Sequence, residues 1–397
     1  MRFRASHTLA LAVTLTAHAQ GPGPHRFLAF TANHGSNDVS VLDTRAHIEI
    51  ARVPVPARPV RVLSPPSGDS VFVCGQGKPL YVSRLNLDSL AVDATIFLSP
   101  DPFSAIKDAE ISPDGRWIAV VDGMRATLTI IDTREFVVAS TRSLCPPCDG
   151  FQGGSAPALR IHFTKDGSHA WVLGDHGPFD YRVKGRQSEL TLLEIPSGAL
   201  VRRIPVPPTN GGELKVLGDS NRIAFVNFLG PRPPRFYDGL TGDFTSLEPL
   251  KGHWSAQDVE YVEDLRLLCF SEALQDPSAD YLHVLHLEDQ SVTLIRSPES
   301  VRHLSYNPTT GELWARSPGG VATFDLVEMR RRQDISLPQG AQLGDLSFTP
   351  DGRFLYYPAV DEIVVVETSS RAIVNTIPVG VGSRTVRMFG DTSPSAY

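Results

Sequence analysis

The sequence predicts an all-β protein: one β-propeller of four-stranded blades arranged radially about a central channel. Three features carry that expectation. A strand–turn–strand unit recurs along the chain, a second β-prone run follows most copies, and long apolar stripes of helical period are almost missing.

The recurring unit is clearest in three segments that superimpose residue for residue. They are Ile111 to Val120 (ISPDGRWIAV), Phe163 to Val172 (FTKDGSHAWV) and Phe348 to Tyr357 (FTPDGRFLYY). In each, a strand ends, Asp-Gly supplies the tight turn, and a second strand begins. Weaker copies stand at Leu63 to Gly68, Leu217 to Ser220, Tyr261 to Asp264 and Tyr306 to Gly311, so successive copies lie about 42 to 54 residues apart. The second run recurs as Val39 to Thr44, Leu128 to Thr133, Leu190 to Ile195 and Ile363 to Thr368, each closing on an acidic turn residue. A fourth strand follows, as at Ile48 to Val55 and Ala372 to Val379. Connections this short leave no room for crossover helices, which argues against a parallel α/β fold.

Complete units begin near Pro59, Lys107, Ala158, Glu213, Gln257, Val301 and Leu343. The remainder is orphaned at both ends: Arg26 to Val55 has the character of strands two, three and four, and Thr385 to Phe389 resembles a lone first strand. Joined, they make an eighth blade and close the ring, removing edges that would invite aggregation. Seven blades is the alternative count, because Gly230 to Pro249 is irregular.

The N-terminus reads as a secretory leader. Arg2 and Arg4 precede the apolar run Thr8 to Thr16, and Ala17-His18-Ala19 has the small-x-small form of a cleavage site. The expected organisation is therefore a signal peptide over 1–19, a propeller over 26–389 and a C-terminal tail over 390–397. The mature chain is expected in the periplasm or outside the cell, with no membrane span, since no segment has eighteen consecutive apolar residues. A formal charge of −7 with no basic stripe argues against nucleic acid as a partner.

The run Thr31 to Thr44 (TANHGSNDVSVLDT), the turn Ser112 to Gly115 and the segment Asn375 to Gly380 (NTIPVG) together resemble the YVTN family of β-propeller repeats. The resemblance spans nearly the whole mature chain and is loosest between about 210 and 340. It implies the fold. For function it implies only a range, from cell-surface and binding modules to propellers that hold redox cofactors.

Local chemistry is sparser. Cys145-Pro146-Pro147-Cys148 sits in a Pro/Gly-rich connection, where export favours a disulfide between Cys145 and Cys148 as a loop staple. Asp149 occupies the position where covalent haem attachment needs His, and no second Cys/His pair stands nearby to complete a zinc site. Cys74 and Cys269 fall in the second strands of their units and are expected as buried free thiols. Long connections present Tyr181, Arg182, Arg235, Tyr237, His253 and Trp254 as candidates for a loop recognition surface.

The Ser-Pro-Asp-Gly turn also serves as a ruler for the first strands that should line the channel. Four residues before Ser112 is Asp108, and the matching positions are Val60, Arg160, Leu214, Asp258, His303 and Asp345. Two residues on, Glu110, His162 and Glu260 share the orientation of Asp108, Arg160 and Asp258. This polar lining is either a self-neutralising hydrated channel or a pocket, with carboxylates as acceptors or metal ligands, His303 as a ligand or proton carrier, and Arg160 gripping an anion. Two function classes follow. One is a secreted or periplasmic binding module for a protein, polymer or small ligand; the other is a periplasmic propeller holding a redox cofactor (tetrapyrrole, quinone or metal), or a hydrolase or lactonase on the propeller face. The sequence names no catalytic residue and no particular cofactor.

Overall fold

A computed structural model of the chain describes residues 27–100, 104–144, 159–176, 187–206, 213–218, 222–225, 235–238, 244–246, 255–273, 281–297, 301–337 and 345–390. Eight antiparallel sheets make up the fold, seven of four strands and one of five. Blade 1 joins Leu28–Asn33, Asp38–Asp43 and Ile48–Pro54 to the C-terminal strand Ser383–Met388. Blades 2 to 8 then follow in chain order, their innermost strands being Pro59–Leu63, Ile106–Ile111, Leu159–Phe163, Leu214–Leu217, Ser255–Val262, Arg302–Asn307 and Ser347–Phe348. The seven-blade alternative is thereby set aside. The irregular stretch after Gly230 supplies Arg235–Asp238 and Phe244–Ser246, the third and fourth strands of blade 5. Among the described residues no helix is long and apolar enough to cross a membrane.

The recurring turns explain why the unit recurs. Gly115, Gly167 and Gly352 have φ of +72°, +68° and +66°, a conformation that favours glycine. The hydroxyl three residues earlier closes each turn. Ser112 Oγ donates to Asp114 Oδ1 at 2.5 Å and accepts the Trp117 N–H at 2.9 Å. Thr164 repeats this with Asp166 and His169, and Thr349 with Asp351 and Phe354.

Each interface between neighbouring blades holds its own apolar cluster. Alternation along a strand feeds two of them at once. In blade 1, Phe30 and Val41 pack with Val62 and Val73 of blade 2, while Ala29 and Leu42 pack with Tyr356 and Val365 of blade 8. Trp171, Leu190 and Tyr237 join blade 4 to blade 5. Tyr237, expected on a loop surface, is therefore a core residue, with its ring centroid 5.9 Å from that of Trp171. Arg235 likewise stands in a strand rather than a loop. Cys74 and Cys269 are buried free thiols in second strands, as the sequence suggested. Tyr181, Arg182, His253, Trp254, Cys145, Cys148, the leader and residues 391–397 lie outside the described residues.

Ring closure rests on one pairing. Ser383–Met388 runs antiparallel to Leu28–Asn33, with Ala29 opposite Met388 and Thr31 opposite Val386. Val386 and Met388 are buried, and each such side chain contributes about 1.5–3 kcal/mol by burial. Ending the chain at Ser383 should lower the cooperative melting temperature by roughly 10 °C or more, counting both side chains and the lost ladder. A truncated protein that melts like the full chain in scanning calorimetry would contradict this closure.

Candidate ligand site in the central channel

An innermost strand has a partner on one edge only; its other edge faces the channel with free backbone groups. Carboxylates from one blade satisfy N–H groups of the next. Asp108 Oδ2 accepts the Ile161 N–H at 3.0 Å, and Glu110 Oε2 accepts the Phe163 N–H at 3.2 Å, linking blades 3 and 4. Asp258 Oδ2 accepts the Leu304 N–H at 2.7 Å, linking blades 6 and 7. Asp108 and Asp258 each follow a β-bulge, which re-aims the side chain and frees the adjacent ladder. Each also accepts the next residue's N–H, Ala109 at 2.9 Å and Val259 at 2.8 Å.

Four basic side chains in the lining have carboxylate partners. Arg61 is buried and donates to Asp108 and, at 2.7 Å, to the Ala109 carbonyl. Arg160 grips Glu213 with two nitrogens at 2.9 to 3.1 Å. Lys215 Nζ lies 3.0 Å from Glu260, and His303 Nδ1 lies 3.0 Å from Asp345 Oδ1. That last contact is an ion-pair distance without the alignment of a hydrogen bond.

Asp258 has two N–H donors and no ion pair among the described residues. Burial and then the Glu213 charge push its carboxyl up to about 7, against the opposing influence of His303, Lys215 and the Leu304 N–H. Burial, reinforced by Asp108, drives Glu110 well above the usual carboxylate range. Burial lowers His162 to about 4, so its imidazole is neutral, with Nδ1 at 3.0 Å from the Phe163 carbonyl. For His303 burial opposes the imidazolium, but Asp345 outweighs it and raises the pKa. Asp258 and His303 thus influence each other's titration, the carboxyl pushed up chiefly by burial and the imidazole chiefly by Asp345.

All eight channel candidates, Asp108, Glu110, Arg160, His162, Asp258, Glu260, His303 and Asp345, come together on the inner strands or the residues that lead into them. The ruler failed in two blades. In blade 2 the bulge falls at Val60, not at the residue matching Lys107, so Val60 is core and Arg61 takes the polar position. In blade 5 Leu214 is core, and its neighbours Glu213 and Lys215 supply the charge. The polar–apolar–polar alternation of Glu213-Leu214-Lys215 was the available signal.

The raised pKa of Asp258 has a definite sign in stability. Folding binds a proton that the unfolded chain releases near pH 4, so this group costs stability increasingly as pH rises from about 4 to about 7, then no further. The stability difference between Asp258→Asn and wild type should move in the variant's favour by about 1.4 kcal/mol per pH unit across that window. Urea melts at intervals of pH test it, and a difference independent of pH would refute it.

No protein-family model and no curated protein sequence matches this chain. Solved structures do. "Dihydro-heme d1 dehydrogenase NirN in complex with DHE" is similar over 94% of this chain and 77% of that one, with 17% identity and a TM-score of 0.71. Apo AztD from Citrobacter koseri is similar over 91% of this chain and 97% of its own, with 12% identity and a TM-score of 0.65. Kuenenia stuttgartiensis hydrazine synthase follows at 15% identity, 92% and 99% coverage and a TM-score of 0.50. At such identities the likeness establishes the fold: an eight-bladed propeller closed by its two terminal segments.

Proposed function

We propose that this chain is an extracytoplasmic propeller that holds a small polar ligand of cofactor type at one mouth of its central channel. The carrying observation is Asp258, a buried carboxyl with no ion pair among the described residues, pushed up to about 7 by burial and acted on by His303. A lining meant only to neutralise itself would pair Asp258 as it pairs Asp108. With Nδ1 turned to Asp345, His303 keeps Nε2 for a proton, a ligand oxygen or a metal carried by a cofactor. A bare metal ion is less well served, since no group of three metal-ligating side chains occurs among the described residues.

The likeness to a dehydrogenase solved in complex with DHE supports the cofactor reading over a protein- or polymer-binding one. A hydrolase would need a nucleophile on His303, whose partner among the described residues is a carboxylate. The extracytoplasmic location rests on the leader over 1–19, ahead of a propeller over 26–389 and a tail over 390–397. In that compartment Cys145 and Cys148 would close as a disulfide.

The test is protein purified from its native compartment, read by absorption, metal content and native mass. Wild type should carry a bound species that Asp258→Asn and His303→Gln, both folded, retain poorly or lose. A native mass equal to the bare mature chain, with unchanged affinity of both variants for every ligand that wild type binds, would move the site to the outer loops.

A further inference from the structure

Blade 7 sets two arginines face to face. Arg302 opens its inner strand, Arg302–Asn307, and stands directly opposite Arg316 of the neighbouring strand, Glu312–Ser317. Like charges directly opposite across a strand pair are destabilising. The other arginines of this blade avoid the problem: Arg330 pairs with Glu328 at 2.5 Å, Arg331 with Asp334, and Arg332 with Asp325. Neither the Arg302 nor the Arg316 guanidinium has a hydrogen bond or ion pair among the described residues.

Arg316 is half-buried, and a desolvated guanidinium ordinarily has a carboxylate against it. Burial, reinforced by the Arg302 charge, holds its pKa below the ordinary range, against the opposing influence of Tyr357 and Asp345. Asp345 is the carboxylate that acts on this group among the described residues, and its Oδ1 already lies 3.0 Å from His303. The segment 338–344 that leads into blade 8 (PQGAQLG) carries no acidic residue. Among the described residues, Arg302, Arg316 and His303 thus stand around Asp345, with Asp258 acting on His303 alone of the three.

Their placement fits a ligand rather than an accident of packing. His303 lies between Arg302 and Leu304 in a β-bulge, with φ of +49°, a costly conformation for a residue other than glycine. A bulge there turns the chain so that Arg302 and His303 stand together at the strand-start end of the channel. Arg302 is exposed, so the pair is open to solvent, and a guanidinium fork matches the two oxygens of a carboxylate or phosphate.

We infer that Arg302 and Arg316 form an anion grip at the blade 7 side of the channel mouth, taking a carboxylate or phosphate group of the bound ligand. This deepens the channel reading above and rests on it for the rest of the ligand. The grip requires an oxyanion and no covalent step.

Thermal unfolding of the full chain in inorganic phosphate and, separately, in citrate, each against chloride at matched ionic strength, tests the grip. An anion that binds only the folded state raises the melting temperature with concentration. Wild type should respond to phosphate or to citrate beyond chloride, and the responsive anion identifies which group is gripped. Arg302→Gln and Arg316→Gln should each weaken the apparent affinity by about tenfold or more, without melting lower than wild type in chloride. Glu299, just before the inner strand, is checked by Glu299→Gln, expected to bind within about twofold of wild type. Equal responses of wild type and both arginine variants would overturn the grip, as would much tighter binding by Glu299→Gln, which would mean that Glu299 neutralises the pair. A wild type that retains a cofactor lost in Asp258→Asn, yet ignores phosphate and citrate, would overturn the grip and leave the channel reading standing.

Discussion

Every blade of a propeller ends in a strand with no neighbour on its channel side, and those backbone N–H groups need acceptors. Leaving one buried and unsatisfied costs about 1–3 kcal/mol. The chain answers with carboxylates reaching from one blade to the next: Asp108 to Ile161, Glu110 to Phe163, Asp258 to Leu304. That solution brings negative charge onto buried and half-buried side chains, which in turn calls for Arg61, Arg160 and Lys215. The polarity of the channel follows first from backbone chemistry.

Asp108 and Asp258 show how one structural solution yields two chemistries. They hold matching positions after matching bulges, and each accepts its own neighbour's N–H and one from the following blade. Asp108 also has Arg61, which ties blade 2 into the same node and makes a bridge across three blades. Removing one partner of such a buried pair typically costs about 3–5 kcal/mol, so Asp108 is a structural keystone. Among the described residues Asp258 has no counterpart to Arg61. Its charge is offset at a distance by His303 and Lys215, which leaves the proton exchangeable near neutrality.

The fold was largely legible because its determinants are local. Ser112, Asp114 and Gly115 set one turn within four residues, and the same chemistry recurs at Thr164 and Thr349. Ring closure was legible too, since Thr385 to Phe389 had a first strand's pattern and nothing else to pair with. The channel was legible only where a bulge kept its place relative to the turn. A shift of one residue exchanges the two faces of a strand, which is why Val60 and Leu214 were named in place of Arg61, Glu213 and Lys215. Tyr237 misled for a different reason: among Pro and Arg it reads as loop, but its ring fills the interface between blades 4 and 5. Arg302 and Arg316 left no local trace, because their opposition exists only once Arg302–Asn307 pairs with Glu312–Ser317.

The location of the candidate site follows from where neutralisation stops. On the side of blades 2 to 4, Arg61 and two backbone N–H groups engage both oxygens of Asp108 and neutralise its charge in place. From blade 6 to blade 8 the network is incomplete in both signs among the described residues: Asp258 has no ion pair, and neither the Arg302 nor the Arg316 guanidinium has one. His303 lies between them, bulged from its strand and in contact with Asp345. A lining selected only to close the ring would cancel these charges where they arise, as it does around Asp108. A ligand offering an anionic group to the arginines and a hydrogen-bonding group to Asp258 would cancel both at once, and that is the physical reason to place it there.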